Sequence, residues 1–105
     1  MNTPDTRRIL DMIDYQAGAV VSRTVLNKKT GSVTLFAFDV NEGLSEHTTP
    51  HDALVQVLEG ELDATIAGDE YRVEPGEILE LPADKPHSLT APHRCKMMLT
   101  MLRSS

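Results

Sequence analysis

Four histidines are the residues of this chain whose type and spacing could support chemistry. His47 and His51 flank residues 48–50, a Thr-Thr-Pro run, and His87 lies on a later segment. Neutral imidazole binds zinc, nickel, copper or iron, and it also hydrogen-bonds to other imidazoles, to backbone or to water. The fourth histidine, His93, lies in a turn, where we expect it to be exposed and at most an additional ligand.

The distance between His47 and His51 decides whether the two side chains can share an ion. Four residues of extended strand span about 13 Å, whereas a ligating histidine places its Cα about 6 Å from the metal. A bend at residues 48–50 would shorten the span, and Pro50 favours one because it cannot donate a ladder hydrogen bond. With such a bend, His47 and His51 could share one ion with a histidine of another segment, such as His87, and leave open positions for water or substrate. The alternative is that the three imidazoles only hydrogen-bond inside a pocket.

The elements that must position these histidines are strands. Short apolar runs end in turn residues about every ten positions, which is typical of an all-β sandwich or barrel. The predicted strands are residues 19–26, 33–40, 53–58, 62–66, 71–73, 78–81, 87–90 and 97–102. We expect a tight hairpin turn at Glu59-Gly60-Glu61 and a short helix from Arg7 to Asp14. The gaps between strands are too short for the helical crossovers of a parallel sheet.

Two predicted strands are apolar on both faces, namely residues 33–38 and 97–102. A sheet with one face in water alternates instead, so something must cover the second face of these strands. In so small a domain, a second copy of the chain is a natural cover, and we expect a homodimer. The alternative is that the N-terminal segment folds over this face.

Length, charge and cysteine content exclude several classes of protein. The chain has 105 residues, a formal net charge of −6 and one cysteine. The length fits one domain, and Cys95 has no partner for an intrachain disulfide, so we interpret it as a buried apolar residue. The negative charge disfavours nucleic acid and membranes as partners. Without a long apolar run or a signal peptide, we expect a cytoplasmic protein.

Two stretches resemble the sequence motifs of the cupin family. GLSEHTTPHDALVQVLEG, from Gly43 to Gly60, is similar to the first motif, and GEILELPADKPHSLTA, from Gly76 to Ala91, is similar to the second. The resemblance is to small single-domain bacterial cupins of the RmlC-like kind, and it covers Val20 to Leu102. It implies a double-stranded β-helix, or jelly-roll barrel, over residues 19–105, preceded by an N-terminal segment of residues 1–18.

The resemblance carries metal-ligand positions over to this chain. His47 stands at the first ligand position, and His87 stands at the histidine of the second motif. The second histidine position holds Thr49 and the glutamate position holds Ala53, so we expect His51 to supply the third ligand. Thr49 is a further candidate for the site, because its hydroxyl group could donate to a bound anion, or else it packs as an ordinary strand residue.

The function that the resemblance implies is binding of a divalent metal ion together with a small-molecule ligand or substrate. Imidazole ligands do not select among zinc, nickel, iron, manganese and copper. Cupin enzymes include dioxygenases, isomerases and decarboxylases, and no catalytic residue is assigned here. The missing carboxylate disfavours the two-histidine, one-carboxylate iron chemistry. The alternatives are a metal-free module that binds or senses a small ligand without catalysis, and a structural protein whose pocket has lost its metal.

Overall fold

A computed structural model describes residues 4–103 of the chain. These residues form one 3-10 turn, Ile9–Asp11, and nine strands. The strands are β1 (Val20–Lys28), β2 (Gly31–Phe38), β3 (Gly43–His47), β4 (Asp52–Glu59), β5 (Leu62–Ile66), β6 (Asp69–Val73), β7 (Ile78–Leu81), β8 (His87–Thr90) and β9 (Cys95–Leu102). Within the described part of the chain, no helix has the length and apolar character that a bilayer crossing requires.

The strands form two antiparallel sheets that face each other. The five-stranded sheet has the order β1-β2-β9-β4-β7, and the four-stranded sheet has the order β3-β8-β5-β6. The chain passes repeatedly from one sheet to the other, so that strands distant in sequence become neighbours. This is a jelly-roll barrel, and the prediction of an all-β barrel of this kind is confirmed.

The space between the sheets holds the main hydrophobic core. Alternate residues of each strand face this space, as the period of two requires. The largest fully buried side chains are Phe38, Leu35, Leu62, Leu81, Met97, Val55, Val57 and Cys95, and all but Leu35 belong to this core. Cys95 is therefore buried as predicted, and burial raises the pKa of its thiol to about 12.

The outer face of the five-stranded sheet has a second, smaller core under the N-terminal segment. Ile13 packs there against Leu35 and Ala37. The segment forms only the single turn Ile9–Asp11, which is shorter than the helix predicted from Arg7 to Asp14. Part of the second apolar face of β2 and β9 is thus covered by the chain's own N-terminal segment.

Two further local predictions differ from the structure, apart from shifts of a few residues in strand bounds. The strand β3 was not predicted, because Gly43–His47 carries few apolar residues and lies at a sheet edge. The hairpin predicted at residues 59–61 is wrong, because β4 and β5 belong to different sheets. Gly60 instead carries the chain from one sheet to the other with a φ of 77°. A Cβ atom at this position would overlap the carbonyl oxygen of Arg94.

Candidate metal centre

Two of the predicted ligands stand opposite each other on neighbouring strands of the four-stranded sheet. His47 ends β3, His87 begins β8, and the two are partners in register. The pairing shifts between Leu44 and His47, so that three steps along β3 match two along β8. This bulge turns His47 to the same side as Leu44, although in a regular strand residues three apart face opposite sides. Leu44 packs against the main core on that side and His87 is buried there, whereas His47 itself is exposed at the edge of the sheet.

The first nitrogen of each ring is held by the backbone. His47 Nδ1 lies 3.0 Å from the carbonyl oxygen of Ser45, and His87 Nδ1 lies 3.3 Å from that of Lys85. A carbonyl oxygen can only accept, so we assign the proton of each neutral ring to Nδ1. Each Nε2 atom is then unprotonated and presents a lone pair. Metal-ligating histidines are commonly oriented by a carbonyl group in this manner.

The two Nε2 atoms face each other at a distance of 3.1 Å. Two lone pairs repel each other at this separation unless a proton or a metal ion lies between them. Burial, with a further contribution from His47, lowers the pKa of His87, which disfavours the proton. Nitrogens that bind one ion at about 2.1 Å and roughly 90–110° are about 3.0–3.4 Å apart. The spacing of this pair therefore fits the chelation of one metal ion.

His51 lies at the bend between β3 and β4. Its backbone N–H donates to Thr49 Oγ1 at 3.2 Å. Its side chain is partly buried, and Nδ1 is enclosed with no hydrogen-bond partner among residues 4–103. Buried polar atoms nearly always have a partner, so an unsatisfied nitrogen here is the kind of atom that a bound ion or ligand would satisfy.

The structure brings two of the three predicted ligands together. In the described part of the chain, no group of three or more His, Cys, Asp or Glu side chains is arranged to hold a metal ion. The contact joins His47 and His87, and no measured contact joins His51 to them. Ala53 is buried and faces the interior from β4, so a methyl group occupies the position where the family motif has glutamate. His93 is exposed in the turn before β9.

The barrel interior is more accessible at the histidine end than at the other end. Along the inner face of β2, Phe38 is fully buried whereas Thr34 and Ser32 are partly exposed. Along β9, Cys95 is fully buried whereas Met101 is partly exposed. The loops that connect β3 to β4 and β7 to β8 lie at the same end as these exposed residues. A small molecule could therefore reach the histidine pair along a wall that is apolar with two hydroxyl groups.

Sequence reasoning missed the residues that support the pair. Ser45 and Lys85 act through their carbonyl oxygens, which every residue type has, so their identities gave no signal. The only trace in the sequence is their spacing, since each stands two residues before its histidine. The bulge in β3 also left no signal, because residues 44–47 contain no glycine or proline.

Comparison with known proteins places this fold and motif in one family. The cupin domain family matches residues 34–102. A conserved protein of unknown function from Streptococcus pyogenes is 26% identical with a TM-score of 0.93, over 100% of this chain and 92% of that one. A cupin superfamily protein from Desulfitobacterium hafniense is 26% identical with a TM-score of 0.90, over 99% and 97% of the two chains.

A third similar structure contains the fold as part of a longer chain. The cupin 2 conserved barrel domain protein from Leptotrichia buccalis is 34% identical with a TM-score of 0.86, over 90% of this chain and 46% of that one. No curated protein sequence matches the chain. The jelly-roll fold, the positions of His47 and His87 and the family match over residues 34–102 agree, and the chain belongs to the cupin domain family.

Proposed function

We propose that the chain binds a divalent transition-metal ion through His47 and His87 and uses it to bind, or act on, a small molecule. The observation that carries the proposal is the approach of the two Nε2 atoms to 3.1 Å, and the carbonyl contacts of the two Nδ1 atoms are the reason for assigning a lone pair to each Nε2. Each imidazole ring is already oriented by a contact of its Nδ1 atom with a backbone carbonyl oxygen. The two side chains therefore lose little conformational freedom when an ion binds.

His51 is the third ligand in this proposal. Its support is the enclosed Nδ1 atom that has no partner among the described residues. The bend at residues 48–51 lies between the strand that carries His47 and β4, so a small change in this loop alters the position of the imidazole. Loops of this kind commonly adjust when a ligand binds, whereas the strand-borne pair is fixed by sheet pairing.

The chemistry that a bound divalent ion supplies is Lewis acidity toward a coordinated substrate group. The residues of this chain have other tasks. His47 and His87 would hold the ion at the end of the barrel interior, while Leu99 and Met101 provide an apolar wall along β9. The hydroxyl groups of Ser32 and Thr34 on the neighbouring strand are available to orient polar groups of a ligand.

Metal content tests the proposal directly. Untagged protein, purified without a nickel column, would be analysed by inductively coupled plasma mass spectrometry beside His47→Ala, His87→Ala and His93→Ala. We expect about one ion per chain in the wild type and in His93→Ala, and almost none in the other two variants. His51→Ala should bind with an affinity lowered by about tenfold or more in calorimetric titration of chelator-treated protein.

The control variant makes the result specific. His93 is exposed in the turn between β8 and β9, so its loss removes an imidazole without removing either member of the pair. Metal retained by His47→Ala and His87→Ala, or metal lost from His93→Ala as well, would contradict the site. A wild type that takes up no zinc, nickel, iron, manganese or copper from solution would contradict the proposal as a whole.

A second candidate function is a metal-free module that binds a small ligand without catalysis. Ala53 favours it, because the carboxylate that the family motif offers an ion is absent here. In that case His47 and His87 would share one proton between their Nε2 atoms, and this proton would come from the ligand or be given to it. Screening by thermal shift in the presence of a chelator separates the two candidates, because a metal-free module gains stability from its ligand under that condition and a metal-dependent one does not.

A further inference from the structure

One arginine lies at the open end of the barrel, on the sheet opposite the histidine pair. Arg103 directly follows β9, and its backbone N–H donates to the carbonyl oxygen of Thr30 at 2.9 Å. This bond continues the pairing of β2 with β9 by one step. Leu99 on β9 packs against the main core, so Arg103, four residues later, also has an inward-facing position.

The guanidinium group of Arg103 is held through one of its three nitrogens. Its Nη1 atom donates to the side-chain oxygen of Asn27 at 3.2 Å and to the carbonyl oxygen of Lys28. These two contacts use both hydrogens of Nη1. Nε and Nη2 have no hydrogen-bond partner among residues 4–103, and no carboxylate of that part of the chain forms an ion pair with Arg103. The edge formed by Nε and Nη2 is therefore available to a ligand.

The topology places this edge across from the histidine pair. A turn of residues 74–77 joins β6 to β7, each the last strand of its sheet, so the two sheets are closed on that side. Counting from that side, β8 with His87 faces β9, and β3 with His47 faces β2. Arg103 and both histidines also lie at the end of the barrel where β3 ends and β4 begins. Facing sheets are about 10 Å apart, so one small molecule can contact both the guanidinium and an ion held by the pair.

The surroundings of this edge favour a carboxylate as its ligand. Ser32 and Thr34, on the inward face of β2, add two uncharged hydroxyl groups. Register places the side chain of Lys28 on the outer face, and the carboxylate of Asp52 accepts a hydrogen bond from the backbone of the loop after β7. Arg103 therefore presents a single positive charge with two parallel N–H donors. This matches the single charge and the two oxygens of a carboxylate in a bidentate pair.

We propose that Arg103 binds the carboxylate of a small organic acid and orients the molecule toward the histidine pair. The bidentate contact with Nε and Nη2 fixes one end of the molecule, and an oxygen at its other end reaches the ion held by His47 and His87. The substrate class of the metal site is then a small carboxylic acid that carries a second oxygen-bearing group. This substrate class rests on the proposed function, whereas the contact between Arg103 and the carboxylate does not require the ion.

Binding of the dicarboxylate glutarate tests the contact with and without the ion. NMR titrations would compare the wild type with Arg103→Gln and Lys28→Gln, each as zinc-loaded and as chelator-treated protein. In both states of the wild type, the Nε–H resonance of Arg103 should shift. Arg103→Gln should weaken glutarate binding by about tenfold or more, because a charged bidentate contact is lost, and should still take up zinc.

Two controls separate the bidentate contact from charge alone. Lys28→Gln removes the same charge from the outer face and should bind glutarate as the wild type does. Glutaramide, the neutral diamide, should bind the wild type about tenfold more weakly than glutarate or worse. If circular dichroism shows that Arg103→Gln is unfolded, Arg103→Lys replaces it, because lysine keeps the charge and lacks the two-donor edge, and it should also weaken binding.

The two states of the protein separate this inference from the proposed function. A wild type that takes up no zinc contradicts the proposed function, and the chelator-treated samples still decide the contact of Arg103. Zinc should tighten glutarate binding in the wild type and not in His47→Ala, and equal binding with and without zinc would overturn the substrate class. Equal weakening by Arg103→Gln and Lys28→Gln, an unmoved Nε–H resonance, or glutaramide that binds as tightly as glutarate would overturn the contact itself.

Discussion

His47 and His87 are cross-strand partners whose Nε2 atoms lie 3.1 Å apart, and each Nδ1 faces a carbonyl oxygen of its own segment. This arrangement disfavours protonation of His87 in the folded chain. Burial first, and then His47, lower the pKa of His87 from its usual value of 6.5. The pair therefore links the stability of the metal-free fold to pH.

The first prediction concerns the sign of this dependence. Between the lowered pKa and about 6.5, the unfolded chain binds a proton at His87 that the folded chain does not, so stability decreases as the pH falls below 6.5. His87→Gln keeps a neutral polar side chain and should remove this part of the pH dependence. Urea denaturation in a chelator, at pH values between 5 and 7, measures the effect.

The control for this experiment is His93→Gln, which should keep the wild-type dependence because His93 is exposed. Asp39 does not interfere in this range. The backbone N–H of Gly18 and the guanidinium of Arg94 lower the pKa of Asp39 from 3.8 to about 2, so its contribution is lost only in more acidic solution. An unchanged slope in His87→Gln would rule out the lowered pKa.

The second prediction is that metal binding stabilises the fold through the same pair. An ion at 100 times its dissociation constant adds about 2.7 kcal/mol to the free energy of unfolding, or about 10 °C in Tm for a domain of this size. A chelator should therefore lower the Tm of the wild type and leave that of the double variant His47→Ala/His87→Ala unchanged. Differential scanning calorimetry provides the measurement, and equal chelator effects in both proteins would contradict it.

The sequence was sufficient for the barrel but not for the course of the chain around the histidines. Strands β5, β7 and β8 have the predicted bounds because turn residues limit them on both sides. The edge strand β3 was missed, since the strand pattern reflects burial and this edge strand has no buried residue. The contact between His47 and His87 depends on a bulge, and a bulge is a property of the pairing rather than of one strand.

The apolar pattern of strands β2 and β9 predicted that their second face is covered, but it did not predict which part of the protein covers it. Leu35 and Ala37 are covered by Ile13 of the N-terminal segment, which was the alternative to a second copy. Leu54 and Leu102 on the same face have no cover among the described residues, so the homodimer remains a prediction for that half. The hydrophobic pattern of a strand shows that one of its faces is buried. Which segment or chain packs on that face depends on contacts between residues distant in sequence, and the pattern does not contain them.

The third prediction uses two glycines that differ in one respect. Gly60 and Gly68 both have positive φ, 77° and 88°. A Cβ atom at Gly60 would overlap the backbone of Arg94, whereas one at Gly68 meets nothing within 4 Å. Gly68→Ala should lower the free energy of unfolding by about 1 kcal/mol, the cost of the left-handed conformation alone. Gly60→Ala should lower it by about 3 kcal/mol or more, because backbone must also move.

Urea denaturation of the two alanine variants decides this prediction. Similar losses in both would mean that the crossing between the sheets at Gly60 is not tightly packed. A larger loss in Gly68→Ala would contradict the structure of the crossing.

The fourth prediction concerns the attachment of the N-terminal segment. The Tyr15 hydroxyl donates a hydrogen bond to Glu59 Oε2 at 2.5 Å, and the side chains of Arg94 and Lys96 lie over the Tyr15 ring. Lys96 Nζ also donates to the carbonyl oxygen of Leu10 at 2.7 Å. The N-terminal segment is therefore attached to the five-stranded sheet at two places, at its 3-10 turn through Lys96 of β9 and at Tyr15 through Glu59 of β4.

Tyr15→Phe removes the hydroxyl and retains the ring that the two cations contact. A hydrogen bond to a charged group in a partly buried position contributes about 1.5 kcal/mol, so the variant should lose about that amount in urea denaturation. Tyr71→Phe removes a hydroxyl from an exposed tyrosine on the other sheet and should change stability by less than about 0.5 kcal/mol. Equal effects of the two variants would mean that the hydrogen bond to Glu59 does not fasten the segment to the barrel.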